Sequence, residues 1–355
     1  MDHSLRETLL RSGANLEGSS HMALHFGDAE AELRAALDCC AIVDRSDLGL
    51  VLSSGPDLLD LLNRLSTGAV KDLEPGQGRP TVVTTPKGRI VERLFVHHLG
   101  RRGVLLVGGP ASAGRVIEYL DRYTFAEQTG MTDATEEICQ LTVVGPQAVQ
   151  VLEAAGFDRP EPFCSVEIEF EGLSAHVLGE DGLSGEGFSV LATKEMAGSM
   201  WQALNLACSK CGGRPAGSIA AEGWRILRGL PMSGHELTED YNPLEAGQRD
   251  AVSFEKGCYV GQEVVARLNS YHKVSRTLVG LVLPPQAELP QVGDPLFFED
   301  QEVGRVTSAV APPGWPHPVA LAYVKRRLVE KGIEFSIGAP GASLAARLVD
   351  LPFPP

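Results

Sequence analysis

Residues 256–263 read Lys-Gly-Cys-Tyr-Val-Gly-Gln-Glu, and no other stretch of the chain gathers so many chemically purposeful residues. Gly257 and Gly261 allow backbone conformations that side chains forbid. The segment is therefore expected to be a turn or helix entry that presents Cys258 at a fixed angle. Lys256 lies nearby in sequence. An ammonium that approached the sulfur in space would lower the thiol pKa and raise the thiolate fraction, which is the nucleophilic and metal-binding form of cysteine. Gln262 and Glu263 stand where they could anchor or orient a ligand. An arbitrary cysteine is a small buried hydrophobe, but the surroundings of Cys258 favour a working thiol.

The flanks carry the pattern outward. Upstream stands Tyr241-Asn242-Pro243-Leu244-Glu245-Ala246-Gly247, and downstream Val264-Val265-Ala266-Arg267. Near the end come Val303-Gly304-Arg305-Val306-Thr307-Ser308, Ala320-Leu321-Ala322-Tyr323-Val324 and Leu351-Pro352-Phe353. Together these resemble the YgfZ group, folate-binding relatives of the glycine cleavage T-protein (aminomethyltransferase) that include mitochondrial iron-sulfur assembly factors. The KGCY-x-GQE core is closer to the YgfZ branch than to the T-protein branch. The resemblance covers almost the whole chain. It implies an α+β fold of two lobes plus a small C-terminal β-barrel around a central opening. It also implies tetrahydrofolate or a derivative as cofactor, and iron-sulfur proteins or their assembly machinery as partners. Any effect on tRNA modification would be indirect, through iron-sulfur enzymes.

Composition agrees with a folded protein. The 355 residues are 43% hydrophobic and 22% charged, and their number calls for two or three structural units. With 31 Lys and Arg against 46 Asp and Glu the net charge is -15, so a nucleic-acid backbone would on average be repelled. Seven cysteines at irregular spacing do not form a disulfide framework. The N-terminus lacks the apolar core of a signal peptide, and no run approaches the roughly 20 apolar residues of a membrane span. The expectation is a soluble, cytoplasmic protein with no direct nucleic-acid or membrane partner.

Periodicity places a helix over residues 30–40, a strand near 49–52 and a helix from Pro56 to about Leu65. Strands over 79–85 and 90–98 are joined by the turn Pro86-Lys87-Gly88, a third follows at 103–107, and a helix over 112–123 ends that unit. A second α+β lobe is expected from strands near 140–144, 166–170, 175–178 and 188–192 and a helix over 146–155. A long helix over 194–211 and another over 220–227 follow. From Arg276 onward, short regular strands with Gly and Pro turns read as a small barrel. The boundary falls near Ser275, giving a two-lobed folate-binding region over 1–275 and a barrel over 276–355.

Further site residues follow from the resemblance. Gly182-Leu183-Ser184-Gly185-Glu186-Gly187 is similar to the T-protein's pterin-holding segment, which makes Glu186 the expected anchor. A carboxylate suits the task because it accepts two adjacent N–H donors side by side. Arg225, in Trp224-Arg225-Ile226-Leu227-Arg228-Gly229, is similar to a family arginine whose planar fork would grip a folate-tail carboxylate. Tyr259 and Gln262 complete the expected folate contacts. Where the T-protein carries a catalytic Asp-Asp pair, this chain has Glu92-Arg93. Arginine does not exchange protons at neutral pH, so glycine cleavage is disfavoured, and Glu92 stays a catalytic candidate beside Cys258 and Lys256. Cys208-Ser209-Lys210-Cys211 is one C-x-x-C pair, where a structural zinc site normally needs two or added histidines. Cys39-Cys40 reads as core. His97 and His98 point to opposite faces of a strand and do not share a metal.

Three functions are carried forward. The first is a folate-binding protein that supports iron-sulfur enzymes through Cys258. The second is a folate-dependent aminomethyltransferase or demethylase. The third is a non-enzymatic folate-sensing scaffold.

Overall fold

The turn Pro86-Lys87-Gly88 does join two strands, Gly78–Thr84 and Ile90–His98, and these begin a five-stranded sheet. Its order continues with Val104–Pro110, Leu48–Ser53 and Met131–Asp133. The computed structural model describes residues 4–16, 22–179, 187–270, 274–329, 332–339 and 344–354.

A six-stranded sheet follows in the order Ser165–Phe170, Leu173–Gly179, Gly187–Thr193, Ile138–Val144, Ala41–Asp44 and Arg214–Ala216. Its ladders are antiparallel except the last, where Arg214–Ala216 runs parallel to Ala41–Asp44. Two features depart from the sequence reading. Ala41–Asp44 joins this second sheet although it precedes the first sheet's strand Leu48–Ser53 by only a turn. Arg214–Ala216 is a strand where the sequence offers only three residues, one of them proline, after Gly212-Gly213. Neither position shows alternation, because long-range ladder partners and not local pattern create both.

The helices Ala148–Ala155 and Ala197–Lys210 cover one face of the six-stranded sheet. Their Val151, Leu152, Met200, Trp201 and Leu204 pack with Ile42, Leu141, Val143, Val177 and Val190. Each such side chain contributes about 1.5–3 kcal/mol when fully buried. A second cluster joins the sheets: Leu50, Leu105 and Val107 of the first meet Leu178 and Leu191 of the second.

Both sheets belong to one compact unit, residues 1–83 and 92–221, while a second unit comprises 84–91 and 222–355. In the second, Arg276–Val282, Val319–Lys325, Gln301–Val310, Pro295–Phe298, Glu334–Ile337 and Ala345–Val349 close into a barrel. Leu281, Leu296, Val306, Ala322, Val324, Phe335 and Leu348 belong to its apolar core. Closure satisfies the edge strands that an open sheet leaves unpaired. The expected α+β fold with a small C-terminal barrel is thus present. Among the described residues no helix is long and apolar enough to cross a membrane.

Candidate functional site

The signature segment sits on a purpose-built support inside the second unit. Residues 256–261 form no regular element, and the helix Gln262–Ser270 starts directly after them. Gly261 has φ +84°, and a Cβ there would stand 2.6 Å from the Thr85 carbonyl oxygen and 2.9 Å from Gly88 Cα. Gly88, at φ +66°, turns the hairpin tip against it. Two glycines distant in sequence therefore meet backbone to backbone, an approach only glycine allows. Thr84 Oγ1 donates to the Val260 carbonyl at 2.6 Å, which fixes the chain just after Cys258.

The upstream segment 241–247 completes the support. Ile90 N donates to the Tyr241 carbonyl at 3.0 Å, and Arg89 Nη1 to the Asp240 carbonyl at 2.8 Å. Asn242 Oδ1 accepts from the amides of Leu244 and Glu245, both at 3.0 Å, and so pins a tight turn. The buried Glu245 carboxylate accepts from Asn242 N at 3.2 Å and Ser275 Oγ at 3.0 Å. Tyr241 stacks on Tyr323 of the barrel, with ring centroids 3.5 Å apart.

On this support the sequence-predicted residues Lys256, Cys258, Tyr259 and Gln262 lie together. Cys258 is the exposed member of the seven cysteines, none of which is in a disulfide. Tyr259 is buried, which pushes its phenol up to about 12. The Lys256 ammonium lies over that ring, 5.2 Å from its centroid. Burial pulls the Lys256 pKa down to about 8, so a fraction of the amine is neutral near physiological pH. Gln262 opens the helix, its amide donating to the Tyr259 carbonyl at 3.1 Å.

Glu92 belongs to the first unit and to a different environment. Its side chain is 1% exposed and paired with Arg115. Oε1 also accepts from the amides of Arg93 at 3.2 Å and Gly109 at 3.4 Å. A carboxylate so engaged ties the strand Ile90–His98 to its neighbour Val104–Pro110. The Arg93 guanidinium lies over Phe95 at 4.2 Å, and Phe95 in turn stacks on Phe163 with centroids 6.5 Å apart.

Arg225 has every donor committed. Nε and Nη2 grip the Glu222 carboxylate, Nη1 donates to the Leu230 carbonyl at 2.7 Å and to Glu236 at 3.1 Å, and Nη2 donates to Ser308 Oγ at 2.9 Å. That uses all five N–H groups of the fork. The arginine is buried, so it is neither a surface ion pair nor a side chain with donors to spare for a ligand. The expected pterin anchor, Glu186, lies outside the described residues.

The sequence matches the GCVT N-terminal domain over residues 13–256 and the glycine cleavage T-protein C-terminal barrel domain over residues 276–354. The chain belongs to the glycine cleavage T-protein family. Among relatives, an aminomethyltransferase of Symbiobacterium thermophilum is 29% identical, over 98% of this chain and 96% of that enzyme. A chloroplastic protein of Arabidopsis thaliana, provisionally named a transferase, is 29% identical over 95% of this chain and 77% of its own length. The glycine cleavage system aminomethyltransferase T from Bartonella henselae superposes with a TM-score of 0.82 at 24% identity. The match covers 98% of this chain and 96% of that one, and shows that the fold is shared.

Within this T-protein-family chain, sequence reasoning missed Glu236. The residue is fully buried, and its carboxylate accepts from Arg225, from Met232 N at 3.0 Å and from Ser308 Oγ at 2.7 Å. Its carbonyl accepts from Tyr323 OH at 2.9 Å. Glu236 thereby ties the helix Ser218–Leu227 to the barrel. Its one sequence signal is an acid between His235 and Leu237, which by itself points to no partner. Thr84 and Gly88 were legible as strand and turn, but not as the clasp on the signature.

Proposed function

We propose that this chain is a folate-dependent transferase of the T-protein family whose working group is the Cys258 thiol, with Lys256 two residues before it in the chain. One observation carries the reading: Cys258 is the exposed cysteine, and it stands on a backbone locked by the Gly88–Gly261 contact and by Thr84. A nucleophile held at a fixed angle with its side chain open is the arrangement covalent group transfer uses. Tetrahydrofolate is the cofactor used in the family. Of the residues named for it, Lys256 offers a cation for an anionic tail, and Tyr259 and Gln262 line the same segment. Arg225 is already saturated, and Glu186 remains the proposed pterin anchor. The functional regions are proposed as a folate-binding region over 1–275 and a barrel over 276–355.

Calorimetric titration of tetrahydrofolate into wild type, Glu186→Ala and Cys258→Ala tests this. Binding by wild type and by Cys258→Ala, with loss in Glu186→Ala, supports a folate site and makes the thiol a separate working group. Absence of binding by wild type removes folate from the account and moves the scaffold reading to the front.

Glu92-Arg93 favours a second reading, that of a YgfZ-type factor acting on iron-sulfur proteins in place of glycine cleavage. A carboxylate closed by Arg115, followed by a cation, lacks the acid pair that aminomethyl transfer employs. On this reading Cys258→Ala in cells lowers iron-sulfur enzyme activity while folate binding persists. Turnover with glycine-cleavage components that Glu92→Ala abolishes would sink it.

A further inference from the structure

The two cysteine pairs that sequence leaves apart meet inside the first unit. Cys39 and Cys40 stand between the helix Ala29–Asp38 and the strand Ala41–Asp44, and Cys208 and Cys211 stand at the end of the helix Ala197–Lys210. Cys39 Sγ is 3.9 Å from Cys40 Sγ, and Cys40 Sγ is 3.7 Å from Cys208 Sγ. The Cys39 thiol also donates to the Cys211 carbonyl at 3.1 Å. The row runs from a half-buried sulfur, Cys39, to two sulfurs with no solvent exposure, Cys40 and Cys208.

The surrounding backbone keeps these sulfurs in contact. A Cβ on Gly213 would lie 2.3 Å from Cys40 Sγ and 2.6 Å from Cys208 Sγ, so only glycine leaves room at this position. Gly213 N donates to the Cys208 carbonyl at 2.9 Å, which holds the turn over the pair. Among the described residues no three metal-ligating side chains are arranged to hold a metal ion, so the group stands as a thiol cluster.

We propose that Cys39, Cys40 and Cys208 form a second reactive site, separate from Cys258, that takes up one small hydroperoxide and ends as a Cys40–Cys208 disulfide. The chemistry balances in three exchanges. The Cys39 thiolate attacks the peroxide oxygen; a sulfur–oxygen bond forms, and the alcohol or water leaves with a proton. Cys40 then attacks the Cys39 sulfenic acid, forming a sulfur–sulfur bond and releasing water. Finally Cys208 attacks Cys40 Sγ, and Cys39 leaves as a thiol. In sum two thiols and one hydroperoxide give a disulfide, an alcohol and water, and an external dithiol restores the start. Closing the final bond needs the sulfurs to approach from 3.7 Å to about 2.05 Å. Burial raises the Cys39 thiol above its ordinary range, and the contact with Cys208 together with burial raises Cys40, so the cluster rests as thiols and only the minor thiolate fraction of Cys39 attacks. Oxidation is therefore gradual and is gated by the half-buried Cys39.

The test treats the full, reduced chain with hydrogen peroxide, then denatures it, alkylates it and maps the peptides by mass spectrometry. The expected result is a cross-linked Cys40–Cys208 peptide pair lacking two hydrogens, reversed by dithiothreitol, together with a higher melting temperature because the bridge closes a long loop. Cys39→Ser, at the half-buried end of the row, should slow formation of the link by roughly tenfold or more without preventing folding. The proposal is overturned if Cys40 and Cys208 are recovered fully alkylated after peroxide has consumed the Cys258 thiol. It is equally overturned if Cys39→Ser leaves the rate unchanged, or if added zinc protects all four thiols and shows the cluster to be a metal site.

Discussion

Two stretches of this chain each hold a candidate catalytic residue and differ as structures. Residues 256–263 combine a fixed backbone with an open side chain: Gly261 and Gly88 interlock, Thr84 holds Val260, and Cys258 faces solvent. The strand Ile90–His98 does the reverse with Glu92, whose backbone is ordinary sheet and whose carboxylate is closed by Arg115 and two amides. A group able to react has its rigidity in the main chain and its freedom at the reacting atom. A carboxylate already holding a guanidinium and two N–H groups has its interactions directed inward, where they stabilise the sheet.

The largest expected effect separates the two glycines of the signature. Gly261→Ala forces a side chain into a left-handed position against the Thr85 carbonyl. We expect a loss of about 2–4 kcal/mol, read by urea unfolding. Gly257→Ala meets nothing within 4 Å and should change stability by no more than about 0.5 kcal/mol. Equal effects would mean that the clasp on Gly88 does not fix the segment.

A second break of the comparison falls on Glu92. Glu92→Ala uncaps two amides and leaves Arg115 without its buried partner, and should cost about 1–3 kcal/mol in the same unfolding measurement. The half-exposed Arg115 can turn to solvent, which keeps the cost below that of a fully buried pair. Unchanged stability would return Glu92 to the reacting groups.

A smaller effect concerns pH. The folded-state pKa of Lys256 is depressed, to about 8 from an ordinary 10.5. Between those values the unfolded chain binds more protons than the folded one, so stability rises with pH across that window and is lowest, for this group, below it. Lys256→Met should stabilise the protein at pH 7 and flatten the rise between about pH 8 and 10 in thermal melts. An unaltered pH profile would show that the amine is not desolvated over Tyr259.

These contrasts also mark what could be read from the sequence. The hairpin through Pro86-Lys87-Gly88 was legible because turn residues separate two apolar runs, and the barrel because its strands are short and evenly spaced. The second-sheet membership of Ala41–Asp44 was not legible, since its neighbours Ile138–Val144 and Arg214–Ala216 lie far along the chain. The signature was found from its glycines, yet which backbone Gly261 approaches is a long-range fact. Arg225 showed the right chemistry for gripping a carboxylate, and it does grip carboxylates, those of Glu222 and the buried Glu236. Cys39-Cys40 reads as core and Cys208-x-x-Cys211 as too few ligands for a metal; the fold places the two pairs side by side.

The measurement that bears most directly on the central claim is single-turnover, tetrahydrofolate-dependent one-carbon transfer by wild type, Cys258→Ala and Glu92→Gln, each checked for folding by its melting curve. The account predicts that Cys258→Ala falls by about a hundredfold or more while Glu92→Gln stays within a few-fold of wild type. Full activity in Cys258→Ala, or a collapse confined to Glu92→Gln at unchanged stability, would contradict it.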